Sequence, residues 1–496
     1  MGIVKGFCKM SFVRWGAIVL SGGLLGGMLL PPSIAFADQN LSFSCSLRNA
    51  ESSPVQSLIR PSKDDDYRVR RETTVKLREY GKAACPAVPE LIELLKDWHP
   101  QVISAAADTL GGDKLRWHSS GATSQLQVLL KHQNAQVRSS AIYALGRISG
   151  ALWDDRVIPD LVRGLKDPDA RVRTSALQGL GEFTDWAKDT AQSTIDAIEP
   201  LFQDMNSDVR IAAIETFGTI VGYAPLDRWG PTVEPTLQML FQSDDLSQKV
   251  AVINAWGVMN VSEAAPKLVP LLTGSRSELQ YAAETSLIMM DHLDAEAVSQ
   301  IVPLLKNANP KIRVSALRIL GGVKADKRIL DAIVPLIQDP IPQVRLTVAS
   351  SLVPIRALSQ EAIPGLLLLL QDSDARVRKT ALMSLSMMSS SASSALPQIT
   401  SSLTDTDPNV RAEAIWAMAF VGEKLRVLIP QAVVMLKDDH PRVRKNALFV
   451  IGLSRLKAKD SPELVSAILP LLQDSDRDVR KEAVEALKHL GYEAKP

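Results

Sequence analysis

The amino-acid sequence predicts an all-α fold, an α-α superhelix of about thirteen helix pairs. Three observations predict it. A unit of 31 to 39 residues repeats from about residue 54 to residue 492, and a period of that size is the mark of a stacked array rather than of separate closed domains. Hydrophobic residues make up 46% of the chain but aromatic residues only 5%, a balance rich in Leu, Ala and Val that suits helix-on-helix packing. Each unit also carries a small residue at a fixed place in its second helix, where neighbouring helices need close approach.

Taken in order, residues 1–37 read as a secretory signal. Lys5, Lys9 and Arg14 precede the apolar stretch Trp15 to Leu30, and Ala35-Phe36-Ala37 places small residues where a signal peptidase reads, so cleavage is expected after Ala37. The rival reading is an uncleaved N-terminal anchor. Against it, the apolar stretch falls short of the ~20 residues of a spanning helix and ends at Pro31-Pro32. The chain carries +1 overall, and removing the three signal cations leaves −2 from Asp38 onward. Such a balance gives no electrostatic footprint for nucleic acid. In the expected exported chain Cys45, in the tail 38–53, and Cys85 remain, and export lets a disulfide persist. Two readings stand open: a Cys45–Cys85 bridge, or two unpaired thiols.

The array then runs over residues 54–492, with a short C-terminal tail at 493–496. Residues 364–388 show the unit: an apolar helix from Pro364, a tight acidic turn at Asp372-Ser-Asp374, and a second helix opening on Val377-Arg378 with Ala381 three residues on. The basic position recurs at Arg70, Arg138, Arg173, Arg210, Lys249, Arg313, Arg345, Arg378, Arg411, Arg444 and Arg480, with Ile103 and Gln280 in two further units. Prolines such as Pro89, Pro200, Pro303 and Pro470 are expected to open the first helices, where a missing N–H costs nothing. Six residues before the aligned position an acid stands in most units, including Asp64, Asp97, Asp167, Asp204, Asp339, Asp372, Asp405, Asp438 and Asp474.

Asp, then Val-Arg, then Ala, within paired helices of this period, resembles HEAT repeats. The short form D-x-D-x-x-V-R is similar to the HEAT-like repeats of the phycobilisome lyase group. The resemblance implies an inter-repeat ladder of turn Asp and helix Arg: Asp167, Arg173, Asp204, Arg210, Asp339, Arg345, Asp372, Arg378, Asp405, Arg411, Asp438, Arg444, Asp474 and Arg480. Asp372 would then pair with Arg345 or Arg378, and Asp405 with Arg378 or Arg411. The ladder has a gap, because Ser243, Gly274 with Gln280, and Asn307 occupy the relevant places. Either packing suffices there, or residues 243–310 form a hinge or a change of pitch. The last unit, Arg480 to Leu490, has the charged outer face of a terminal cap.

No motif for catalysis is present: no G-x-x-x-x-G-K, H-E-x-x-H, C-x-x-C or G-x-S-x-G. One HEAT-like branch is a di-iron hydroxylase with His-Glu dipeptides, and none of the six histidines here precedes a Glu. The expectation is therefore no cofactor and no metal. Acid pairs such as Asp372/Asp374 and Asp438/Asp439 read as one ladder member and one helix cap, with His440 a surface turn residue. Met383, Met387 and Met388 read as core filling.

The longer intervals place Trp117, Trp153, Trp186 and Trp229 in loops leaving successive second helices, each beside charged residues. One reading makes them a row on one edge that captures a protein, a peptide or a glycan. The other has each Trp capping the groove between helix pairs. The functional expectation is an exported, non-catalytic scaffold for a macromolecular partner, periplasmic or extracellular. The alternative from another class is a divergent enzyme of the HEAT-like lyase or hydroxylase group.

Overall fold

The computed structural model describes residues 54–224, 233–323, 327–353, 359–422, 425–454, 456 and 458–492. The expected signal, the tail with Cys45, and Trp229 lie outside these. Every regular element among the described residues is helical, as the composition required. The chain divides into two compact units: 54–264 with 274–290, and 265–273 with 291–492.

In the N-terminal unit the second helices are α1 (Tyr67–Tyr80), α2 (Pro100–Leu110), α3 (Ala135–Leu152), α4 (Ala170–Leu180), α5 (Ser207–Tyr223), α6 (Leu246–Val258) and α7 (Ser277–Met289). Each packs on the next. In the C-terminal unit they are α8 (Pro310–Gly321), α9 (Pro342–Ser351), α10 (Ala375–Met388), α11 (Pro408–Val421), α12 (Pro441–Leu453) and α13 (Arg477–His489), packed in the same succession.

The same local chemistry starts most of these helices. Asp374 accepts a hydrogen bond from the Arg376 amide at 2.8 Å, and Asp169, Asn206, Asp245, Asn309, Asp407 and Asp476 act alike. Each such cap is worth about 1 kcal/mol. The helix then buries Val, Ala and Leu at helical spacing, as Val377, Ala381 and Leu382 do with no exposure. A buried Leu contributes about 2 kcal/mol through the water it sheds.

Two packing devices recur between successive second helices. Hydroxyls six residues past the aligned position donate to a carbonyl of the preceding helix: Thr216 to Leu177 (3.0 Å), Ser286 to Ile253 (2.8 Å), Ser351 to Leu317 (2.9 Å) and Ser384 to Ala349 (2.9 Å). Glycines allow the close approach this needs, and a Cβ on Gly146 would collide with the backbone of Gly179.

Several prolines stand elsewhere than expected. Pro200, Pro270, Pro303, Pro335 and Pro470 do not open first helices. They begin 3-10 turns that follow a first α segment, as in Glu199–Gln203 and Leu469–Gln473. Proline lacks the N–H of the α ladder and crowds the carbonyl four residues back, so the helix tightens there. Cys85, buried in the turn Gly81–Ala87, is disulfide-bonded. Among the described residues no helix is long and apolar enough to cross a membrane.

Candidate partner-binding faces

The aligned arginines do two jobs at once. Arg378 sends Nε and Nη2 to the Asp405 carboxylate, both at 2.7 Å, and Nη1 back to the Asp372 carbonyl at 2.8 Å. Asp405 in turn accepts the Asp407 amide at 2.8 Å, which shapes its turn. The same paired contact joins Arg173 to Asp204, Arg345 to Asp372, Arg411 to Asp438, and Arg444 to Asp474. It also joins Arg70 to Asp97, Arg138 to Asp167, and Arg313 to Asp339. The carboxylate partner is thus the acid of the following turn, and the arginine's own turn offers only carbonyls. Arg480 accordingly holds the Asp474 and Ser475 carbonyls. Arg210 reaches the Asp204 carbonyl at 2.7 Å but meets Asp245 only at 4.0 Å, since Ser243 occupies the acid place. Gln280 donates to the Gly274 carbonyl in place of an arginine.

Burial pushes the rung carboxyls up, yet the arginine and amide hydrogen bonds outweigh it and hold Asp167, Asp204, Asp372 and Asp405 below the usual carboxylate range. The cap residues Asp169 and Asp374, each held by an arginine two residues on, are lowered to about 2. These acids are structural.

Of the four loop tryptophans, Trp117, Trp153 and Trp186 are among the described residues, and they differ widely in exposure. Trp186 is a correction: it is only 3% exposed, packs 5.9 Å from Phe183 and donates its indole N–H to the Phe183 carbonyl at 2.9 Å. Burying a large ring with its one polar atom satisfied places it in the core. Trp153 is 70% exposed and sits at the end of α3 with φ 55°, the left-handed region. Trp117 is 39% exposed, with the Arg116 guanidinium 5.7 Å from its ring. That loop is tied to the ends of α3 and α4 by Arg116 to Glu182 at 2.6 Å, and by Arg147 to both Asp113 and Glu182. Among the described residues no ring contact joins these tryptophans to one another.

A cleft of about 590 Å³ lies beside the Arg138–Asp167 rung. Its two carboxylates are already engaged, Asp160 by Gln127 and Arg163, and Asp167 by Arg138. No group of three or more metal-ligating side chains is found among the described residues.

A different face stands out. On α10, α11 and α12 the residues five and nine places past the aligned arginine are Met383 and Met387, Trp416 and Phe420, Phe449 and Leu453. Met387 is 40% exposed, Phe420 42% and Leu453 37%, while the other three are half-buried. Trp416 stacks on Phe449 across the helix boundary at 4.9 Å and 17°, and lies 5.1 Å from Phe420. Of the three methionines expected in the core, only Met388 is buried there. The corresponding places on other second helices are mostly polar, such as Gln178 and Glu182 on and after α4, or Glu485 and His489 on α13. Counting from the aligned arginine would have isolated this strip. The sequence reading instead followed tryptophans by loop length and missed Trp416.

The family model for HEAT repeats matches residues 88–181, 122–218, 298–386, 363–433 and 429–496, more than half of the chain. No match is found among curated proteins. Among solved structures, the Kap95:Nup1 complex is similar with a TM-score of 0.61 at 13% identity, covering 91% of this chain and 71% of that one. Importin beta gives 0.55 at 13% identity, covering 88% and 67%. Kap121p gives 0.52 at 16% identity over 88% of this chain and 53% of its own, so the chain spans about half the length of Kap121p. At these identities the likeness concerns the fold alone. Together with the turn-to-helix ladder, the family match settles the classification: the chain belongs to the HEAT-repeat family.

Proposed function

We propose that this chain is an exported, non-catalytic HEAT-repeat scaffold that binds a protein partner on the exposed faces of its second helices. The observation that carries the reading is the strip of half-buried Met383, Trp416 and Phe449 with exposed Met387, Phe420 and Leu453, since large apolar side chains gathered on a surface mark binding sites more often than solvent faces. Export is supported by the signal-like residues 1–37 and by the disulfide-bonded state of Cys85. We assign the bridge to Cys45 and the mature start to Asp38. The D-x-D-x-x-V-R form supports a resemblance to the short HEAT-like repeats of the phycobilisome lyase group, which assigns no chemistry.

The test is affinity capture from the exported fraction with the tagged chain, with N-terminal sequencing of the product. A protein co-eluting in stoichiometric amount and a start at Asp38 are expected. A purified chain carrying a stoichiometric pigment or metal and no protein would overturn the scaffold reading, and a cytoplasmic chain with residues 1–37 intact would overturn export.

A further inference from the structure

Resting on the scaffold reading, we propose that the α10–α12 face binds a short peptide segment of its partner, one whose aromatic or large aliphatic side chains are flanked by Asp or Glu. On α10 the residues Lys379, Met383 and Met387 follow each other at four-residue spacing, as do Ala412, Trp416 and Phe420 on α11, and Lys445, Phe449 and Leu453 on α12. Residues so spaced lie one above another on one helix face. Each helix thus contributes two apolar side chains, and the ends of α10 and α12 add a lysine one turn before them.

The size of the strip selects the class of occupant. Three helices about 8–10 Å apart, each contributing side chains about 6 Å apart along its axis, cover on the order of 200–300 Å². A whole folded partner or a second copy would bury about 800 Å² on each side. The strip is closed off by Ser350 on α9 and by Glu485 and His489 on α13, so it does not extend to that size. A peptide with two or three apolar anchors fits it.

Charge selects the flanking residues. Lys379, Arg442, Lys445 and, on α13, Lys481 stand at the N-terminal end of the strip, against Glu413 and Glu482. Arg442 is open to solvent and 4.0 Å from Glu413. Four cations thus face two carboxyls, Glu413 beside Lys379 and Arg442, and Glu482 beside Lys445 and Lys481, so the acids offset only part of the positive charge. The margin therefore attracts carboxylates more than cations.

The probe is a random peptide library of roughly 12 residues, long enough to span about 18 Å as a helix, selected on the immobilised full chain. Enriched sequences should pair Phe, Trp or Leu with Asp or Glu. A labelled consensus peptide, followed by fluorescence anisotropy, should bind at least tenfold more weakly to Phe420→Ser/Leu453→Ser and to Lys379→Glu/Lys445→Glu. The second loss should shrink between about 0.1 M and about 1 M salt. Trp153→Ser should bind as the parent does. The lysine pair lies outside the core, so its result stands even where the apolar pair disturbs folding. Enriched peptides without this pattern, or undiminished by both double variants, would overturn the proposal. A concentration-dependent dimer abolished by Phe420→Ser/Leu453→Ser would overturn it in favour of a second copy. A partner captured equally well by that variant would remove this site and leave the scaffold reading standing. A chain that captures no partner would remove the scaffold reading, while the peptide selection would still judge the face.

Discussion

Asp405→Ala should be among the most damaging surface-proximal substitutions in the C-terminal unit. It strips Arg378 of both carboxylate contacts and leaves the Asp407 amide without its acceptor. Truncating one partner of a fully buried pair costs about 3–5 kcal/mol. Here the Arg378 side chain is 14% exposed and that of Asp405 12%, so water recovers part of this, leaving about 2 kcal/mol for the pair. The lost turn hydrogen bond adds about 1 kcal/mol, for a total of about 3 kcal/mol. Asp374→Ala, by contrast, removes a helix cap and a contact to Arg376, whose side chain is 70% exposed. It should cost about 1–1.5 kcal/mol. The double variant Arg378→Met/Asp405→Leu should fall within about 1 kcal/mol of the parent, because no charge is left stranded. Urea unfolding combined with hydrogen exchange of α10 and α11 reads all three, since a repeat array need not unfold in one step. The folded Asp405 carboxyl is held below its ordinary range, so its stabilising effect exists above the unfolded value of about 3.9 and fades as pH falls through the folded value. The gap between parent and Asp405→Ala should close in the same direction. Asp405→Ala no worse than Asp374→Ala, or a double variant as unstable as the single, would refute the reasoning.

The remaining predictions follow from burial. Trp186→Ala should cost about 3–5 kcal/mol in urea unfolding, as large buried rings do, whereas Trp153→Gly should stabilise by about 1 kcal/mol because glycine accepts the left-handed backbone without a Cβ penalty. Gly146→Ala should separate α3 from α4 and lower the unfolding free energy by about 1–3 kcal/mol, the usual cost of overpacking. Burial raises the folded Glu413 carboxyl above its unfolded value, so the folded state binds the extra proton and stability declines as pH rises through that interval. Glu413→Gln should therefore stabilise at pH 7, and the gain should vanish below about pH 4, near the ordinary Glu value.

The repeat was legible because its signals are local: Val377, Arg378 and Ala381 are each forced by one turn and one neighbour, and the phase of thirteen such units leaves little freedom. Which carboxylate an arginine would take was less so. Asp372 lies six residues before Arg378, yet that arginine takes only its carbonyl, and the carboxylate points back to Arg345. Sequence distance does not tell which side of a turn faces the preceding pair. Trp186 and Trp153 share a loop-like setting in sequence, but Phe183 gives one of them a ring and a carbonyl to bury against. Met387 and Met388 are adjacent, and a single residue's rotation about the helix axis separates exposed from buried.

Because the turn of a matched unit supplies an acceptor to the helix before it and carbonyls to the helix after it, units such as those of Arg345, Arg378 and Arg411 each carry both a plug and a socket of identical form. Excising residues 372–404 would present Asp405 to Arg345 and leave the Asp405 carbonyl where Arg411 already finds it. The chain can therefore lengthen or shorten by whole units through recombination without redesigning a junction. Units lacking a matched pair, such as those of Ile103, Lys249 and Gln280, are where such exchange would stall.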